Sequence, residues 1–230
     1  ADGHSNGHTV AISQNGRFVV YTSEASNLVA NDTNGVADVF VTDVLDGSTI
    51  RASVSSDGSE GNLPSDGSSI GSSISGIGIS DDSYSVVFIS GASNLVPGDT
   101  NGAVDVFVHD RRTRQTRRVS VDSTGNQGNG DCQRALINSN GRYVVYQSSA
   151  DNLVARDTNG MDDCFRYDMV TGETVLISQH TDGMIGNGAC WHPRISADGN
   201  LVAFTSPATN LIDGDANGEM DSFVRDVSAA

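Results

Sequence analysis

Apolar and polar residues alternate over short runs along this chain and recur nowhere at sustained helical spacing, a pattern that predicts strands and no helices. Four such runs, RFVVY, SVVFI, RYVVY and LVAFT, each follow a tight-turn pair: Asn15-Gly16, Asp82-Ser83, Asn140-Gly141 and Asp198-Gly199. An apolar strand end meeting such a pair is a hairpin signal. Each run leads through Ser-x-x-x-Asn-Leu into an acidic segment: NDTNGVADVFVTD, GDTNGAVDVFVHD, RDTNGMDDCFRYD and GDANGEMDSFVRD. A second alternation (DVFV and its equivalents), a short polar turn and a last run (IRASVS, RRVSV, TVLIS) complete the unit.

The leading acids Asp32, Asp99, Asp157 and Asp215 stand 67, 58 and 58 residues apart, so one nine-residue insertion between Gly58 and Gly78 accounts for the long first step. Four strands cannot bury an apolar face alone, and repeats of this length stack radially as propeller blades. The expected fold is therefore all-β, a single-domain β-propeller over residues 1–230 of four four-stranded antiparallel blades, with repeats at approximately 1–55, 56–122, 123–180 and 181–230. The fourth repeat stops after its third strand, so its blade should lack the outer strand. A closed monomeric ring is the expected assembly, with the N-terminal segment or a second molecule as alternative donors of the missing strand.

The segments SxxGRYVVY, SASNLVxxDTNGxxDVFVxD and RVSV together resemble the TolB-type, WD-like β-propeller repeat of bacterial secreted proteins, over nearly the whole chain. The resemblance implies a propeller and an extracytoplasmic setting, secreted or periplasmic, but no particular activity, since such scaffolds carry unrelated ones. Four units are fewer than the six or more common in that family, and Trp191, the one tryptophan, forms no Trp-Asp pair.

A net charge of −16 argues against nucleic acid and anionic membranes as partners, and no apolar run is long enough for membrane insertion. Of three cysteines at least one must be unpaired within the chain. Cys132 and Cys190 hold the same place in successive repeats and offer one bridge, against free or buried thiols throughout.

The acidic loops carry the candidate chemistry. Asp32, Asn34 and Asp38 in the first, Asp99, Asn101 and Asp105 in the second, Asp157, Asn159 and Asp163 in the third, and Asp215, Asn217 and Asp221 in the fourth present hard oxygens around a glycine. Calcium favours that donor set, and magnesium tolerates such irregular geometry poorly. The plainer reading is a good turn, which explains the Asp-x-Asn-Gly start but not the final aspartate at a strand start. The recurring Asn27, Asn94, Asn152 and Asn210, and Asp43, Asp110, Asp168 and Asp226, read as groups that bond loop backbone.

No metalloprotease helix, nucleophile elbow or phosphate-cradling loop occurs among these residues. The most distinctive departure from the repeat is Trp191 with His192, beside which His8 aligns, a possible ligand surface for carbohydrate. The alternative is that Trp191 fills a gap between blades. A cysteine nucleophile beside His192 would need a depressed thiol pKa. Arg111 to Arg118 form the one cationic cluster and read as a solvated hairpin. The functional expectation is a calcium-binding, non-catalytic binding or adhesion module for an extracellular ligand, with a polysaccharide-acting enzyme and a structural domain of a larger protein as the alternatives.

Overall fold

The computed structural model describes residues 1–65 and 76–228, and most of the expected insertion lies outside them. The first blade is β1 (Ser5–Ile12), β2 (Phe18–Ser23), β3 (Asp38–Asp43) and β4 (Thr49–Arg51). The second is β5 (Ile77–Ile79), β6 (Ser85–Ser90), β7 (Asp105–Asp110) and β8 (Gln115–Arg118). The third is β9 (Cys132–Ile137), β10 (Tyr143–Ser148), β11 (Asp163–Asp168) and β12 (Thr174–Leu176). The fourth holds three strands, β13 (Trp191–Ile195), β14 (Leu201–Ser206) and β15 (Asp221–Asp226). Every sheet is an antiparallel meander in chain order, and the first strands neighbour one another from blade to blade.

Register repeats as closely as sequence. Tyr21 faces Phe40, Phe88 faces Phe107, Tyr146 faces Phe165 and Phe204 faces Phe223 across the central strand pair. Their ring centroids are 5.5 to 6.0 Å apart. The turn before each second strand needs a left-handed residue, supplied by Gly16, Gly141 and Gly199, while Ser83 takes that conformation at φ 65° in blade 2.

Because side chains alternate across a strand, every blade has two faces, and the core is the set of seams between them. Val20, Val39, Val41 and Ala52 of blade 1 pack on Ile77, Val86, Phe88 and Phe107 of blade 2. Val87, Val106, Val108 and Val119 meet Val144, Tyr146, Phe165 and Leu176 at the next seam. Val145, Cys164 and Ile177 meet Val202, Phe204 and Phe223 at the third. Among the described residues no comparable core joins blade 4 to blade 1. Val224 is 68% exposed where its equivalents Val41 and Val108 are 1% and 2% exposed, and Val10 and Ile12 of blade 1 are 59% and 63% exposed. Where the sequence suggested a closed ring, the described residues form four blades joined by three seams.

A disulfide joins Cys164 of β11 to Cys190 at the entry to blade 4, and Cys132 is a buried free thiol. The structure differs both from free thiols throughout and from the one bridge the alignment offered, Cys132 to Cys190, which the stacking itself excludes. These residues are equivalent, one seam apart, and each faces the preceding blade: the Cys132 amide bonds Val104 O and the Cys190 amide bonds Asp162 O. The partner of Cys190 must therefore come from β11, and the residue facing Cys132 is the valine of β7.

If seams hold the blades together, truncation within one should cost far more than truncation on a bare face. Phe107→Ala should lose about 3–5 kcal/mol, and Val224→Ser no more than about 0.5 kcal/mol, in equilibrium denaturant unfolding.

Acidic loops and a cationic inner-strand patch as candidate sites

The four acidic loops share one backbone frame. In each, the asparagine of the Asn-Gly pair accepts a bond from the backbone amide two residues on, at 2.8 to 3.2 Å, and its side-chain amide donates to the final aspartate at 2.7 to 3.0 Å. In the first three loops that amide also donates to the carbonyl of Gly61, Gly128 or Gly186 on the chain entering the next blade. Asn34, Asn101, Asn159 and Asn217 therefore spend their side chains on the loop itself.

The final aspartates have a structural reason to stand at strand starts. Asp38, Asp105 and Asp163 are wholly buried, and each accepts a 2.5 Å bond from a serine hydroxyl past the outer strand: Ser53, Ser120 and Ser178. The same hydroxyls accept the amides of Val39, Val106 and Cys164. A carboxylate here ties loop, central strand and outer strand together. Asp221 has no such serine, because blade 4 has no outer strand.

What lies between the first and last aspartates differs from blade to blade. In blade 1 the guanidinium of Arg51 sits 3.2 Å from Asp32, 3.0 Å from Asp38 and 2.9 Å from Glu60. In blade 2 Arg118 sits 3.0 Å from Asp99 and 3.2 Å from Asp105. These arginines occupy the place a bound cation would take. In blade 3 the register position of Arg51 and Arg118 is Leu176, opposite Phe165 as they are opposite Phe40 and Phe107. Asp157 there is buried, and its Oδ2 has no hydrogen-bond partner. Its pKa is pushed up to about 6, by burial first and then by the carboxylates of Asp163 and Asp151. Burial also raises Asp163, and Asp99 and Asp105 in blade 2. Asp215 and Asp221 are only half-buried. Among the described residues no group of three or more His, Cys, Asp or Glu side chains is placed to hold a metal ion. Arg51 and Arg118 were missed by reading the acidic loops alone; the sign was an arginine repeated at one step of the last run in units one and two and replaced by leucine in unit three.

The other recurring polar residues are structural. Asn94, Asn152 and Asn210 clamp the chain entering their own blade through both ends of the amide, and Asn27 accepts the amide of Asp2. Asp43 and Asp168 pair with Arg17 and Arg142, while Asp110 and Asp226 accept loop amides.

A second candidate lies on the inner strands of blades 3 and 4. Bulges in β9 and β13 put Arg134 and His192 in left-handed conformations, φ 52° and 58°. His192 is exposed, Trp191 half-buried, and Arg194 exposed on the same strand. Burial and then the nearby charges of Arg134 and Arg194 lower the His192 pKa, and Arg194 lowers that of Arg134 after burial. Arg134 and Arg194 were not legible as a pair in the sequence, because only neighbouring inner strands bring them together. His8 lies in β1, but its side chain is outside the described residues. The remaining candidate nucleophile is sealed: Cys132 is fully buried, its thiol pushed well up by burial, and it bonds Ser148 rather than His192.

A scan of protein-family models and a search of curated proteins found no match to this chain. Among solved structures, TolB from Acinetobacter baumannii superposes with a TM-score of 0.53 at 17% identity, over 96% of this chain and 41% of that one. An oligogalacturonate lyase from Vibrio parahaemolyticus gives 0.52 at 15% identity, over 98% of this chain and 54% of that one. The tricorn protease gives 0.51 at 13% identity, over 84% and 14%. The chain is a β-propeller. It spans about half the length of these structures or less, and at such identities the likeness is one of fold alone.

Asp157, buried without a countercharge, makes a pH prediction. A carboxyl whose native pKa exceeds its unfolded value holds its proton more tightly when folded. Its contribution therefore favours folding below about pH 4 and is lost as pH rises through about 6. In EDTA, Asp157→Asn should be more stable than the parent at pH 7.5 by on the order of 1–2 kcal/mol, and the gain should vanish near pH 4. Denaturant unfolding at the two pH values checks this, and a gain independent of pH contradicts it.

Proposed function

We propose that this β-propeller is a binding module of an extracytoplasmic protein, and that it takes an anionic ligand, an acidic carbohydrate fitting best, on the inner strands of blades 3 and 4. The observation that carries the reading is the packing of β13 on β9, which brings the charges of Arg134 and Arg194 to bear on His192, next to Trp191 along the strand, in a chain whose net charge is −16. In so acidic a protein, a patch of this kind is a local positive field that draws an anion to a surface that elsewhere repels it. Guanidinium groups bind carboxylates through directed, charge-assisted bonds, and an indole offers an apolar face to a sugar ring. The left-handed bulges lift Arg134 and His192 out of the regular register, and bulges of this kind re-aim side chains next to binding sites.

The Cys164–Cys190 bridge supports the extracytoplasmic setting, because disulfides persist in oxidising compartments. Two of the other histidines are engaged within the fold: His109 is buried with Nδ1 2.9 Å from Thr116, and His180 pairs with Asp182 at 2.9 Å.

Titration calorimetry with a uronic-acid oligosaccharide and its carboxyl-reduced counterpart tests the reading. Reduction should weaken binding at least about tenfold, and Arg194→Ala or Trp191→Ala about three- to tenfold each. Equal binding of the two sugars, or binding of neither, rejects it.

A further inference from the structure

The first two loops and the third solve one electrostatic problem differently. Two carboxylates six positions apart on the loop converge on one slot, and each is withdrawn from water. Blades 1 and 2 neutralise the slot with an arginine from the outer strand, within 3.2 Å of both acids. Blade 3 keeps both acids, the same asparagine frame and the same serine, yet offers Leu176 in place of the arginine. The polar group that supports the slot from the incoming chain is lost as well. Glu60 bonds Thr33 and Arg51 in blade 1, Gln127 bonds Thr100 in blade 2, and Ile185 stands in their place in blade 3. What remains is Asp157, more than nine-tenths buried, with one oxygen unpartnered. Apart from a bond from the backbone of Asn159, the carboxylate has no partner, and burying one without a countercharge costs several kcal/mol.

We propose that the blade 3 loop is a divalent-cation site, with Asp157 and Asp163 as its carboxylate ligands, and that the ion is calcium. A cation in this slot does for blade 3 what Arg51 and Arg118 do for blades 1 and 2. The donors are hard oxygens on an irregular loop. They leave several coordination places to backbone carbonyls and water, an arrangement that suits calcium and that octahedral magnesium tolerates poorly. Two carboxylates set the affinity in the extracellular range, about 0.1 to 1 mM. Loops 1 and 2 are closed to the ion by their own arginines, and the acids of loop 4 are only half-buried among the described residues. The site is therefore single, against the four expected from the repeated sequence.

Calcium titration of the full chain by calorimetry, with melting temperature followed in EDTA, in 10 mM calcium and in equal magnesium, decides the matter. One calcium per chain should bind, and calcium should raise the melting temperature above its value in magnesium. Asp157→Asn should weaken calcium binding at least tenfold while the folded protein persists. Leu176→Arg, which restores the arginine of the sister blades, should abolish the calcium increment and raise the melting temperature in EDTA. Asp32→Asn should leave calcium binding unchanged. The proposal is overturned if calcium and magnesium act alike, if four equivalent sites titrate, or if both Asp157→Asn and Leu176→Arg bind calcium as the parent does.

Discussion

A sheet of four short strands with apolar residues on both faces is unstable in water until each face is covered, and the whole structure follows from that constraint. Each blade covers one face of the next, so the hydrophobic core is divided into thin seams rather than gathered at a centre. The cross-strand aromatic pairs of blades 2, 3 and 4 sit in these seams, which is why they recur in register. Three seams for four blades leave two faces bare, and the exposed Val10, Ile12 and Val224 mark them. Among the described residues the one disulfide spans the third seam, where blade 4 has three strands to hold it.

The acidic loops are where this architecture meets electrostatics. The final aspartate of each complete blade is a hub that joins the loop, a central strand and the outer strand, and its burial follows from where the seam lies. Burying that carboxylate beside a second one creates a need for positive charge. An arginine from the outer strand satisfies it twice, and the third blade leaves it open. The same sequence motif thus has different chemistry in different blades, decided by a residue some 13 positions downstream in the folded neighbourhood of the loop.

The fold was largely legible in the sequence because repeat spacing, alternation and turn pairs all point to one unit, and consistency across levels is what specifies a structure. Closure was not, since the rotation from one blade to the next is set by side-chain volumes in the seams and leaves no periodic trace. The disulfide was not legible for a related reason: repeat alignment offers only Cys132 with Cys190 as an alternative to free thiols, whereas stacking sets each against the strand one blade back. The loop chemistry was half legible. The acids stood out, but the arginines that answer two of them are polar residues in an alternating run and take their meaning only from cross-strand register. Arg134 and Arg194 come together on adjacent inner strands, a proximity no linear motif records.

Hydrogen exchange of the native protein measures most directly whether seams hold this molecule. Blades 2 and 3 are covered on both faces, blades 1 and 4 on one, so opening should be graded accordingly. The amides of β6, β7, β10 and β11 should exchange only with global unfolding, and those of β2, β3, β14 and β15 at measurably lower free energy. Equal protection in all four blades, or greatest protection in an end blade, would contradict the account.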